Sequence, residues 1–392
     1  MDLSFGPEHL TFRDEVRRFL ADHWDPNRSA DATAVSAFRV RATKQGYLYR
    51  WVPRRYGGSE QPSDPIRTRI VSEEFAAAKA PGELHSSGVK MLVPTLLERG
   101  REDQRLQFVA KTLAGKYVWC QGYSEPSSGS DLASLRTRAV LDSGEWVISG
   151  HKIWTSNAHR ADYMFALVRT EPDAPKHAGL SYLLIDMKQP GFTVRPLKQI
   201  NSEAIFNEVL IDSVRTPGNW IVGERGEGWS VSKTTLKHER DTIGSADTTG
   251  ELFAKLVALA RKTVRDGAPL IAREDVRQAL LRIEGYVLAQ KYSSYHQLSL
   301  ASVGREAKRL RFVGKLMGTE IGHDIARLAQ TLIGDAGLLM PSAGRNSSRP
   351  NARWVNQLMG SLGVSIAGGT SNIQRNIIAE RGLGLPREER EE

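Results

Sequence analysis

The sequence predicts an α+β multidomain fold in which a β unit stands between two helical regions. Three observations carry this expectation. Apolar residues recur at helical spacing through roughly the first 116 positions. Over 117–227 the pattern changes to short, β-rich runs separated by turns. From 228 onward the helical period returns and dominates. The expected divisions are therefore 1–116, 117–227 and 228–392.

Taken in order, Leu10, Phe12, Val16, Phe19 and Leu20 recur among Arg and Glu and predict an amphipathic helix near 8–24. A second helix is expected near 32–45, ending at Gly46. Asp64-Pro65 is a good N-cap and first-turn pair for a third, near 64–79. Two more are expected near 87–98 and 102–114. The β unit shows Glu145-Trp-Val-Ile-Ser149, Tyr163-Met-Phe-Ala-Leu-Val168, Leu180-Ser-Tyr-Leu-Leu-Ile185, Phe192-Thr-Val194 and Asn207-Glu-Val-Leu-Ile211. Turns such as Asp142-Ser-Gly144 and Pro190-Gly191 separate these runs, which suits a small antiparallel barrel or sandwich. Long helices are then expected near 229–266, 273–300 and 303–334, suggesting a bundle. A last helical unit near 353–381 is interrupted by Ala367-Gly-Gly-Thr370, and a charged tail follows.

Composition narrows the function. A chain of 392 residues, 40% hydrophobic and 25% charged, has globular composition and enough length for two or three units. No apolar run reaches the length of a membrane span, and the early acids of the N-terminus argue against a secretory signal. The single cysteine, Cys120, excludes an internal disulfide and a Cys-based metal site and fits a reducing cytoplasm. The net charge of +9 is spread along helical stretches rather than clustered with aromatics, so an anionic small ligand or a solvated basic surface is expected, and no nucleic acid.

The chemistry-bearing stretch is Gln121-Gly-Tyr-Ser-Glu-Pro-Ser-Ser-Gly-Ser-Asp131, which follows the apolar run Tyr117-Val-Trp-Cys120. A strand ending in a Gly-bearing, hydroxyl-rich loop offers backbone N–H groups and short side chains to a flat polar ligand. A second polar-aromatic cluster, Ser149-Gly-His-Lys-Ile-Trp-Thr-Ser-Asn-Ala158, comes about twenty residues later. No G-x-G-x-x-G turn opens a βαβ unit, and no Walker loop or H-E-x-x-H occurs.

Five segments in register resemble the acyl-CoA dehydrogenase family. Phe12-Arg-x-Glu-Val-Arg-x-Phe-Leu20 resembles its first helix. Tyr123-Ser-Glu-Pro-Ser-Ser-Gly-Ser-Asp131 resembles the "TEPxxGSD" loop, with Ser124 for Thr. Gly150-His-Lys-Ile-Trp-Thr-Ser-Asn-Ala158 resembles the "GxKxWITNA" strand, with Ser156 for Thr. Phe206 to Pro217, followed by Gly223-Glu-Arg-Gly-Glu-Gly-Trp229, resembles the exit from the family's β domain. Ala367-Gly-Gly-Thr-Ser-Asn-Ile-Gln-Arg375 resembles "YEGTSxIQR". The resemblance implies an N-terminal helical domain, a middle antiparallel β-barrel domain and a C-terminal four-helix bundle. It also implies FAD as cofactor, and oxidation of an acyl-CoA to its 2,3-enoyl-CoA with an electron-transfer flavoprotein or similar acceptor. The assembly implied is a homotetramer or dimer, or a hetero-oligomer with a related chain.

The resemblance also implies roles. The backbone of Tyr123 and Ser124 and the Ser124 hydroxyl would face the flavin, with Gly129 and Ser130 on the same loop and Ser130 touching flavin phosphate or CoA. Trp154 and Ser156 would lie against the isoalloxazine; an aromatic in a strand is otherwise core. Gln330, Gly334, Thr370 and Asn372 fall where the family contacts FAD, Asn372 being shorter than the usual Gln. The family's "RxxFG" element is eroded at Arg261-Lys-Thr-Val264 and Arg265-Asp-Gly-Ala-Pro269, leaving room for a partner chain to complete the site.

The base departs from the commonest pattern. Dehydrogenation needs a carboxylate for the α-proton and donors to polarise the thioester. The usual Glu of "YEGT" is Gly368 here, whose N–H could still polarise the thioester. A minority of the family carries the base in an "ER" pair on the first bundle helix. His238-Glu-Arg240 fits that slot, with Glu239 as base and Arg240 ordering the substrate pocket. This arrangement, and a long loop at 338–353, accompany branched, long or bulky acyl groups in the resembling members, sterol side chains included. Competing readings are a flavin monooxygenase or oxidase, a dehydrogenase of carrier-protein-bound acyl groups, and a non-catalytic partner subunit.

Overall fold

The computed structural model describes residues 6–242, 245–307, 309–339 and 351–386, without the side chains of 240–242. Two compact units emerge: Met1–Arg195 with Asn207–His238, and Pro196–Phe206 with Glu239–Glu392.

In the first unit, helices α1 (Pro7–His23), α2 (Ala32–Lys44), α3 (Pro65–Ala77), α4 (Val93–Arg99) and α5 (Glu102–Leu113) precede the sheet. Asp31 and Asp64 cap α2 and α3, each accepting from the N–H three residues on. Their apolar faces converge on one core that includes Val16, Phe38, Ile70, Leu96 and Phe108.

The strands are β1 (Trp119–Gly122), β2 (Arg138–Asp142), β3 (Glu145–Ser156), β4 (Tyr163–Arg169), β5 (Leu180–Asp186), β6 (Phe192–Leu197), β7 (Phe206–Pro217) and β8 (Ile221–Val222). They run in the order β6-β7-β3-β2-β4-β5-β8, with β1 added to β4. The expected barrel does not close: β6 and β8 end the path unpaired with each other. Nor is the sheet wholly antiparallel, because β1 lies parallel to the first half of β4 and β2 makes a parallel bridge to its end, Arg138 opposite Arg169. β2, absent from the sequence reading, reads Arg-Ala-Val-Leu-Asp, with only Ala139 buried.

The single helix expected over 229–266 is two, α6 (Gly228–Thr242) and α7 (Ala246–Lys262). Ser245 accepts from Thr248 N–H and starts the second, so a capping residue outweighs the continuous apolar pattern. Gly228 begins α6 where a Cβ would lie 2.4 Å from the Ser181 carbonyl carbon, so its helix can approach the β5 backbone only without a side chain. A tight hairpin, β9 (Val264–Arg265) and β10 (Ala268–Pro269), follows α7.

The second unit continues with α8 (Glu274–Ser302), α9 (Leu310–Ile333), α10 (Ala352–Val364) and α11 (Ser371–Ile377). Leu256, Leu280, Ile283, Ile325, Leu332 and Trp354 form part of its core. Most of the loop expected at 338–353 falls outside the described residues. No described helix is long and apolar enough to cross a membrane.

Candidate active site

The loop after β1 is fastened from beneath. Glu125 and Ser128 exchange backbone hydrogen bonds of 3.1 and 3.0 Å around Pro126, closing a turn. The Lys152 ammonium, in β3 and fully out of water, donates to the carbonyls of Tyr123 (3.1 Å) and Leu167 (2.8 Å) and to Glu125 Oε1 (3.0 Å). The Glu125 carboxylate also accepts from the N–H groups of Arg136 (2.6 Å) and Thr137 (2.8 Å). Burial pushes the Glu125 carboxyl up, but Lys152 and these donors outweigh it and hold it below the usual range. Burial lowers Lys152 to about 8 despite the carboxylate beside it.

The expected loop residues take distinct positions. The Tyr123 ring is buried, edge-on to Phe165 and Tyr182, so only its backbone can face a ligand. The Ser124 carbonyl accepts from Ile153 N–H at 2.9 Å. Ser124 N–H donates to no acceptor among the described residues. Gly129 and Ser130 are exposed at the rim.

Trp154 is 59% exposed, against the usual fate of a strand aromatic. Along β3, Trp146, Ile148 and Lys152 are buried in the alternation of a strand, yet Thr155 is buried and Trp154 is not. Trp154 has φ +59°, a left-handed conformation that is unusual for a bulky residue. That one residue breaks the period of two, turns the indole out, and leaves Ser156 half-buried beyond it.

Glu239 lies on α6, half-buried, and is the first residue of the second unit's helical part. The helix that carries it is tied to α4: Thr235 Oγ1 and Thr95 Oγ1 are 2.9 Å apart, and His238 Nε2 is 2.8 Å from Glu98 Oε1. Arg240 is within α6, with its side chain outside the described residues.

In the second unit, Gly368 (φ +60°) and Gly369 (φ +88°) form a left-handed turn. Lys315, 4% exposed, donates to the carbonyls of Val364 (3.0 Å) and Gly369 (2.9 Å), and Gln374 Nε2 to that of Gly368 (3.3 Å). Gly368 N–H donates to no acceptor among the described residues. Thr370 caps α11 by accepting from Ile373 N–H, and Asn372 accepts from Arg375 at 3.3 Å. Gln330 donates to Gly337 O at 2.6 Å, and its buried Oε1 has no partner among the described residues. Gly334 has φ +58° and ψ −135°, and a Cβ there would lie 3.0 Å from the Arg265 guanidinium.

All three domain families of one enzyme class match in order: the acyl-CoA dehydrogenase N-terminal domain over 6–116, its middle domain over 120–214 and its C-terminal domain over 226–383. The chain belongs to the acyl-CoA dehydrogenase family. This acyl-CoA dehydrogenase is 37% identical over 391 residues to acyl-CoA dehydrogenase IpdE1 of Mycobacterium tuberculosis, covering 96% of this chain and 98% of the relative. Its fold matches the crystal structure of the ChsE4-ChsE5 complex from Mycobacterium tuberculosis with a TM-score of 0.79 at 28% identity, covering 99% of this chain and 100% of that one. It matches the Tcur3481-Tcur3483 steroid ACAD with a TM-score of 0.79 at 27% identity, covering 99% and 100%. The helical, β and helical parts, and the oxidoreductase class, are those of the family.

Members of this family are flavoproteins, and residues in each unit of this dehydrogenase fit such a group. In the first unit, Ser124, whose N–H has no acceptor among the described residues, is bonded through its carbonyl to Ile153, next to the exposed Trp154 indole. In the second, a guanidinium lies against the open backbone of Gly334, chemistry suited to a diphosphate. Sequence reading singled out neither Lys152, Lys315 nor Gln374, and it took Arg265 for part of an eroded element. Lys152 had a readable signal: it shares the even-numbered, inward register of Trp146 and Ile148.

Proposed function

We propose that this chain uses FAD to dehydrogenate an acyl-CoA thioester across Cα–Cβ, giving the 2,3-enoyl-CoA, and that the acyl group is bulky and sterol-derived. The observation that carries the reading is the pairing of Gly368, which has no side chain to serve as base, with Glu239 on α6. Bound FAD would accept the β-hydride, which an unactivated C–H bond cannot lose to a protein side chain. Glu239 takes the α-proton on its carboxylate. The Gly368 N–H donates to the thioester oxygen as negative charge gathers there. Ser124 N–H and the Trp154 indole hold the flavin's orientation, with Ser156, Gly129 and Ser130 along the same lip. Gln330, Gly334, Thr370 and Asn372 serve its diphosphate side, joined by Arg265. Arg240 and Ser130 serve the CoA substrate.

The steroid ACAD among the structural neighbours supports the acyl class. The two-component names of both neighbours support a partner chain, so the working form is taken as a hetero-oligomer of related chains, with an electron-transfer flavoprotein or similar acceptor downstream. Anaerobic titration of the FAD-loaded protein with straight, branched and sterol-derived acyl-CoAs tests the reading. Sterol-derived thioesters should bleach the flavin at the lowest concentrations. Bleaching by straight-chain thioesters alone would overturn the acyl class, and bleaching by none would overturn the reaction.

A further inference from the structure

Lys152 is not assigned to the reaction by its position in any motif role, yet its surroundings are built. It is 0% exposed, and its three hydrogen-bonding directions end on Tyr123 O, Leu167 O and Glu125 Oε1 at 2.8–3.1 Å. One of these acceptors, Tyr123 O, belongs to the peptide whose other end is Ser124 N–H. In a trans peptide, C=O and N–H point in opposite directions. Holding the carbonyl inward therefore turns the N–H outward. The next peptide is held in the same sense, because Ser124 O accepts from Ile153 N–H. Its own N–H, on Glu125, is occupied by Ser128 O. Of these two peptides, the Ser124 N–H alone has no acceptor among the described residues, and the ammonium sets its direction.

We propose that Lys152, with Glu125 as its counter-ion, is a positioning residue that fixes Ser124 N–H as the outward donor for the flavin edge. The inference rests on the reading of this loop as flavin-facing. The ion pair acts through the backbone and touches neither flavin nor substrate. The carboxylate favours the charged form of the buried ammonium, and the two N–H groups of Arg136 and Thr137 keep the carboxylate in place. An ammonium bound to a carbonyl is a charge-assisted contact, stiffer than the neutral bonds that hold most loops.

The test uses the full chain, in the assembly in which the wild type holds FAD, and also the same chain freed of flavin. Lys152→Met alone buries an unpaired carboxylate and risks misfolding, so the informative variant is Lys152→Met/Glu125→Met. Two readouts are taken: amide hydrogen exchange of the 121–131 segment in the flavin-free chain, and the dissociation constant and visible spectrum of FAD. Exchange in 121–131 should rise on the order of tenfold over the wild type, with segments of α8 unchanged, and FAD should bind on the order of tenfold more weakly with a shifted spectrum. Lys152→Arg/Glu125 wild type, which keeps the charge, should restore part of both. Unchanged exchange at 121–131 overturns the clamp. Trp154→Ala separates the two ideas, since its ring is exposed and its loss leaves the core intact. If Trp154→Ala and the double variant both leave FAD binding and spectrum unaltered while exchange rises, the flavin-facing reading fails and the clamp survives as a loop restraint only, which overturns the proposal as a positioning device. If Trp154→Ala shifts the spectrum and the double variant does not, the reading stands and the proposal fails.

Discussion

Lys152 Nζ lies 3.0 Å from Glu125 Oε1, and neither side chain is more than 5% exposed. A buried pair of this kind adds little net stability against an apolar replacement, because each ion gives up its hydration. Breaking it from one side is different, since the remaining charge is left in a dry site. Lys152→Met should therefore cost about 3–5 kcal/mol, and adding Glu125→Met should recover part of that, since the N–H groups of Arg136 and Thr137 then lose their acceptor. Denaturant unfolding of the three flavin-free proteins measures both. A double variant as unstable as the single would mean that the charge is not what the single substitution strands.

The same pair has a pH signature with a definite sign. Glu125 titrates below its unfolded value, so its contribution is full above about 4.5 and is lost as pH falls through the lower folded value. Lys152 gives up its proton near 8 in the folded chain and near 10.5 when unfolded. Between those values the unfolded chain holds more protons, so stability rises with pH across that window. The difference in unfolding free energy between wild type and Lys152→Met/Glu125→Met should climb toward pH 4.5, stay level to about 8, and climb again. A fall above pH 8 would contradict the direction of the lysine shift.

How far the site could be read from sequence depends on the kind of signal. Period and capping gave the helices of the first unit and most strands, because those are local: Asp64-Pro65 begins α3 where expected. Closure of the sheet was not local: it turns on whether β6 and β8 pair, and the β1–β4 parallel pairing likewise joins residues over forty positions apart. The break between α6 and α7 rested on Ser245, whose capping competes with an unbroken apolar pattern. At the site, motif resemblance named Trp154 and Gly368. It could not reveal that one left-handed residue turns the indole outward, or that buried Lys315 and Gln374 pin the glycine turn.

Trp154 offers a way to separate strain from function. A left-handed φ on a bulky residue costs on the order of 1–3 kcal/mol, and with the ring 59% exposed little burial is forfeited by removing it. Trp154→Gly should leave the flavin-free protein as stable as wild type or more so, while altering the spectrum of bound FAD. Thermal unfolding and absorption spectra decide the matter. A marked loss of stability would show that the indole packs rather than presents itself.

The buried Lys315 makes a parallel prediction for the second unit. Its ammonium satisfies the last carbonyl of α10 and that of Gly369, and burial lowers its pKa. A cation at a helix C-terminus complements the carbonyl end of the dipole. Lys315→Met would strand two carbonyls, costing about 1–3 kcal/mol. Amide exchange should rise in 364–374 and nowhere in the first unit. Exchange that rises evenly along the chain would point to global destabilisation instead of a loosened turn.

The base assignment gives the sharpest functional outcome. Glu239→Gln keeps the shape and half-buried setting of the side chain on α6 but removes the proton acceptor. Its helix is anchored through Thr235 to Thr95 and His238 to Glu98, contacts that the substitution does not touch. General-base loss is expected to slow flavin reduction by about 10²–10⁴-fold. FAD content and thermal midpoint should match wild type, and acyl-CoA should still perturb the flavin spectrum by binding. Stopped-flow reduction under anaerobic conditions measures the rate. Reduction as fast as wild type would remove Glu239 from the mechanism, since Gly368 has no side chain to take its place.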